Sequence, residues 1–167
     1  MSNKSFALRA ALVAASFAAW SNAFAQSAQR GCIELKTVAE VEQQYVDERG
    51  NTATRLVPAA KVVPGDEIVW TIVASNVCSA PAGDIAITNP VPQHMRYVGD
   101  SAFGPGAAIE FSVDGNAFAA ADALTVAEAD GSRRPARADD YSAIRWVLAT
   151  PIGPNETWLV RYRAAVL

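Results

Sequence analysis

Apolar and polar side chains alternate position by position in one segment of this chain after another. Behind Pro64-Gly65-Asp66, the residues Ile68, Trp70, Ile72 and Ala74 fall on one side of an extended chain, and Glu67, Val69, Thr71 and Ser75 on the other. A period of two over this length predicts a β-strand with one face buried. The alternation returns at Ile85 and Ile87 before Asn89-Pro90-Val91-Pro92, and at Ile109, Phe111 and Val113 before Asp114-Gly115. It returns again at Ile144, Trp146 and Leu148, and in a closing row of Trp158, Val160, Tyr162, Ala164 and Val166. Arg161 and Arg163 interleave with that last row and are expected to point outward. Upstream, the segment from Ile33 to Val46 fits no helical stripe. It reads as a long strand, followed by a turn at Arg49-Gly50-Asn51 and a returning strand. Short strands separated by Gly, Pro, Asn and Asp predict an all-β antiparallel sandwich rather than α/β units.

The first residues follow a different rule. Lys4 and Arg9 precede an uncharged run from Ala10 to Ala25, and Ala23 and Ala25 occupy the small positions of a cleavage site. This pattern predicts a secretory signal peptide over residues 1–25 and a mature chain that begins at Gln26. The apolar run is shorter than the ~20 residues a membrane-spanning helix needs. No later segment is long and apolar enough to cross a membrane as a helix, so none is expected after cleavage. Residues 26–167 are then one domain's length of chain.

Loss of Lys4 and Arg9 leaves 12 of the 14 basic side chains against 17 acidic ones, a net charge of −5. An acidic balance without clustered Lys and Arg argues against nucleic acid as a partner. Only two cysteines occur, Cys32 and Cys78, both in the exported part. In an oxidising compartment an even count reads first as a bridge and second as free or metal-binding thiols.

The stretches "PGDEIVWTIVASN", "APAGDIAITNPVPQHMRYVGDSA", "IEFSVDG" and "IGPNETWLVRYRAAV" resemble the immunoglobulin-like conserved-repeat domain of bacterial surface and envelope proteins. That family has no assigned function. The resemblance runs from about Val62 to Val166 and is loose from Ala117 to Ser142. It implies an immunoglobulin-like antiparallel β-sandwich of about seven to nine strands. In such a sandwich the first long strand lies antiparallel to the one behind the Pro-Gly-Asp turn, which implies a disulfide between Cys32 and Cys78 at neighbouring strand ends. This chain differs from the family pattern in carrying Val77-Cys78 after the strand-ending Asn76, Gly153-Pro154-Asn155 in the last turn, and a single domain instead of a tandem array.

The residues offer little to chemistry. His94 is the only histidine and sits in a turn with no partner motif. No CxxC or histidine cluster is present to hold a transition metal, and no cofactor-binding motif occurs. Asp114-Gly115-Asn116 and Asp130-Gly131 lack the ligand series of a calcium loop and read as hairpin turns. Asp139 and Asp140 are adjacent and expected to point apart. Asn155-Glu156-Thr157 matches a glycosylation acceptor, which matters only where the host glycosylates. Trp70, Trp146 and Trp158 lie on apolar strand faces and read as core. The one basic patch is Arg133, Arg134 and Arg137, in a stretch read as a charged surface loop with a helical turn. These three are the candidate ligand contacts.

Two functions remain open. One is an exported, non-enzymatic cell-envelope protein, periplasmic or at the surface, whose domain is a structural or interaction module for another envelope protein. The other is a soluble binding or carrier protein for a polymer, lipid head group or small ligand, contacted by the Arg-rich loop. A row of unpaired strand amides would favour the first, and a concave pocket lined by the tryptophans the second.

Overall fold

A computed structural model describes residues 31–167; the signal peptide expected over residues 1–25 lies outside them. The described residues form ten strands, all paired antiparallel: β1 (Ile33–Val46), β2 (Thr52–Pro58), β3 (Glu67–Asn76), β4 (Ala86–Pro90), β5 (Met95–Tyr97), β6 (Ala107–Ser112), β7 (Thr125–Ala127), β8 (Arg133–Pro135), β9 (Ala143–Leu148) and β10 (Thr157–Val166). A five-stranded sheet runs β2-β1-β3-β10-β5, a three-stranded sheet runs β4-β9-β6, and β7 and β8 make a short ribbon. Two single 3-10 turns, Ala121–Ala123 and Ala138–Asp140, flank the ribbon. The all-β antiparallel sandwich expected from the alternation is the observed fold.

The strand count exceeds seven to nine because Met95–Tyr97 and the ribbon were expected as turn and loop. Three-residue strands are too short for period two to show. The expected helical turn in the Arg-rich stretch is present at Ala138–Asp140. The final strand, β10, lies inside the larger sheet between β3 and β5.

The core fills the space between β3-β10-β5 and β4-β9-β6. From the first come Ile72, Ala74, Val160, Tyr162, Ala164 and Tyr97; from the second come Ile87, Ile144, Trp146 and Phe111. The register sets Ala74 opposite Trp158, Ile72 opposite Val160, Trp70 opposite Tyr162 and Ile68 opposite Ala164, so the predicted rows meet on one face. Trp146 is fully buried, and Trp70 and Trp158 pack against the cluster, which is the core role expected of them.

One expectation needs correction. Only one face of β3 was expected to be buried, yet Val69 and Thr71 on the other face are buried too. The cause is flanking on both sides: β10 sets Arg163 opposite Val69 and Arg161 opposite Thr71, and β1 sets Glu40 and Val38 opposite the same two residues. Arg161 Nε donates to Thr71 Oγ1 at 3.1 Å, while Arg163 pairs with Glu42 and, at 3.7 Å, with Glu67.

Candidate functional site

The corner that holds the two cysteines is built by Asn76. Its buried amide donates to the carbonyls of Ala80 at 2.8 Å and Ile152 at 2.9 Å, and its Oδ1 accepts the Cys78 N–H at 3.0 Å. The Val77 N–H donates to the Cys32 carbonyl at 2.8 Å. Cys32 and Cys78 are joined in a disulfide, with 5.2 Å between their Cα atoms. The pairing expected of them is present.

The three arginines of the basic patch separate into different roles. Arg133 turns back to Thr125, its Nε donating to Oγ1 at 2.8 Å. Arg134 forms a two-pronged pair with Asp140, at 2.6 and 2.8 Å, and a second ion pair with Glu128 at 2.5 Å. Asp140 also accepts the Arg137 N–H at 2.7 Å. The Arg134 guanidinium, and then the Arg137 amide, pull the Asp140 carboxyl down to about 2. Asp140 is therefore a fastener of its own loop, and its neighbour Asp139 is exposed. Arg137 alone of the three has a guanidinium with no ion pair or hydrogen bond to the described residues.

Arg137 stands at the rim of a cleft of about 510 Å³. The floor is aromatic: Phe111 stacks on Tyr141 with centroids 4.4 Å apart, and Tyr97 tilts against both at 5.3 and 5.9 Å. Ile109 and a series of alanines complete the walls, and Asp100 lies on the lip. Burial, then the nearby Tyr97, Asp140 and Asp100, raise the Tyr141 phenol above its ordinary value, so it remains a donor at neutral pH. The tryptophans do not line this cleft. Sequence reasoning missed this cleft because Phe111 reads as a core residue of an alternating strand, Tyr97 lies in a strand too short to show period two, and Tyr141 lies between the Ala138–Asp140 turn and β9.

The other aspartates are used locally. Asp114 Oδ1 accepts the N–H groups of Asn116 and Ala117 and the Ser112 hydroxyl at 2.8 to 2.9 Å, which hold its carboxyl below the usual range. Asp130 accepts from Ser132 in the β7–β8 turn. His94 is exposed at a positive φ of 62° and takes part through its carbonyl, which accepts the Leu167 N–H. Among the described residues no cluster of three or more His, Cys, Asp or Glu could hold a metal ion.

The large sheet also presents an open edge. The Ala59 N–H donates to the Ala39 carbonyl, and the Asp47 N–H to the Asn51 carbonyl. Odd-numbered residues of β1 therefore face β2, and even-numbered ones face β3. The β1–β2 ladder stops at Glu40 opposite Pro58. Beyond it the backbone groups of Ile33, Leu35 and Thr37 turn to a side where no described strand lies. On β2 the same parity sends the N–H groups of Thr52, Thr54 and Leu56 outward. The small sheet stops short of β1 as well, which leaves Leu35, on the core-side face, 56 % exposed.

Comparison with known proteins finds no matching family model, no matching curated protein and no matching solved structure.

Proposed function

We propose that this is an exported, non-enzymatic envelope protein with an immunoglobulin-like sandwich, related to the conserved-repeat domains of bacterial surface proteins, and that it acts as a protein-interaction module. The observation that carries this reading is the open edge of β1. Unpaired backbone donors and acceptors in a row are a template for an added strand. Side chains beside the edge specify the partner's pattern. Leu35 stands on the core-side face, and Glu34 and Lys36 on the opposite face, so the incoming strand would alternate apolar and charged residues. The disulfide at Cys32 anchors the chain immediately before that edge.

The test is capture from envelope extract with the mature protein and with Leu35→Lys, which sets a charge where an apolar side chain must dock. A partner bound by the unaltered protein and by Arg133→Ala, but lost with Leu35→Lys, supports the reading. Equal capture by a Leu35→Lys protein of unchanged melting temperature refutes it.

A further inference from the structure

We propose that the cleft at Arg137 binds a small organic carboxylate with an apolar ring. This stands apart from the strand-addition reading, because the cleft lies among β5, β6 and the Ala138–Asp140 turn and shares no residue with the edge of β1.

Three side chains that line the cleft can donate hydrogen bonds: Tyr97, Arg137 and Tyr141. Tyr141 is nine-tenths buried, and its hydroxyl makes no hydrogen bond to the described residues. The Tyr97 hydroxyl accepts the Ala102 N–H at 3.0 Å, and its own proton has no acceptor among the described residues. Arg137 adds an unpaired guanidinium. The unpartnered Tyr141 hydroxyl is reached by solvent and so is open to a ligand, and two phenols and a cation lining one cleft suit an acceptor-rich anion. Charge-assisted bonds of this kind are stronger than neutral ones.

The site is held in place before any ligand arrives. Arg134 and the Arg137 amide both hold Asp140, which fixes the backbone that carries Arg137. Binding then orders the Arg137 side chain on a backbone that is already fixed. Asp100 gives the site polarity: its carboxylate on the lip repels a second anion, which directs the ligand's carboxylate to the Arg137 end. The body of the ligand then lies over Phe111 and Ile109. A cleft of about 510 Å³ is within the range of small-molecule sites. An inorganic anion would leave the apolar floor unused.

The experiment is a titration of the isotope-labelled mature protein, followed through its backbone amide spectrum. The probes are benzoate and cyclohexanecarboxylate, with benzamide and acetate as controls. Saturable shifts at Gly99, Ala102 and Ala138 are expected with both ring acids. Benzamide, which lacks the charge, and acetate, which lacks the ring, should each bind about tenfold more weakly or worse. Arg137→Ala should weaken benzoate binding about tenfold, and Tyr141→Phe, which keeps the ring, should weaken it by a smaller factor. Arg133→Ala and Leu35→Lys should leave it unchanged, so failure here and failure of the edge reading are separately visible. Absence of saturable shifts with both ring acids overturns the proposal. So does equal affinity in Arg137→Ala, or a response to acetate equal to that of benzoate.

Discussion

The side-chain amide of Asn89 donates to the hydroxyl of Tyr162 across 2.7 Å, and that hydroxyl reaches the Pro90 carbonyl at 3.3 Å. This ties the end of β4 in the small sheet to β10 of the large one across the space between the sheets. Tyr162→Phe keeps the ring and removes the tie. The expected loss is about 1 kcal/mol, the net value of a hydrogen bond within a core. It should appear as a lower urea midpoint at unchanged slope. Burial also raises the Tyr162 phenol far above its ordinary value of 10.0. Stability is complete below that value and falls as pH rises past it, because the unfolded chain ionises first. Tyr162→Phe should make this alkaline decline shallower; an unchanged decline would show that the phenol is not held neutral by the fold.

A second expectation concerns packing. Gly104 lies so close to Trp146 that a Cβ there would sit 2.6 Å from Cδ1 of the indole and 3.1 Å from Val160 Cγ1. Both side chains are fully buried, so a shift of either would disturb the core around it. Gly104→Ala should destabilise by about 1 to 3 kcal/mol, the ordinary range for an overfilled core. Thermal unfolding checks this, and a melting temperature equal to that of the unaltered protein would contradict the close approach.

Acid should loosen the ribbon. Asp140 is held at about 2, below the ordinary 3.8, by Arg134 and the Arg137 amide. A lowered carboxyl contributes stability that is present above its unfolded value and is lost as pH falls through its folded one. Hydrogen-exchange protection of residues 125–141 should therefore decline between about pH 4 and pH 2. Asp140→Asn should have reduced protection already at neutral pH and a flatter response to acid. If protection is independent of pH across that window in the unaltered protein, Asp140 is not the fastener.

Much of the fold was legible because the long strands repeat at period two and their breakers are Gly, Pro, Asn and Asp. The outward placement of Arg161 and Arg163 was legible for the same reason. The burial of Val69 and Thr71 was not: it depends on β1 and β10 flanking β3 on both sides, which no local pattern encodes. The division of labour in the basic patch was equally hidden. Arg133, Arg134 and Arg137 look alike in sequence, and only the turn at Ala138–Asp140 commits Arg134 to Asp140 and leaves Arg137 facing a cleft. The open edge of β1 follows from where β2 ends, which is marked by Pro58 but can be interpreted only once the register is known.

Cys32 and Cys78 close a loop with a sequence separation of 46 at the end of the β1–β3 ladder. Chain entropy alone makes such a bridge worth about 4 kcal/mol, a large share of a domain's stability. Asn76 shares the corner, since its side chain holds the Cys78 N–H and the Ala80 and Ile152 carbonyls by bonds that do not involve the sulfurs. Reduction should therefore lower the melting temperature without dissolving the sandwich, and Cys78→Ser should do the same. Asn76→Ala on top of Cys78→Ser should cost more than either change alone, because the second anchor of the same corner is lost. Mass spectrometry of the unreduced protein should find one peptide pair joining Cys32 to Cys78. Two free thiols in protein taken from an oxidising compartment, or an unchanged melting temperature on reduction, would remove the bridge from the account of what holds β1 in place.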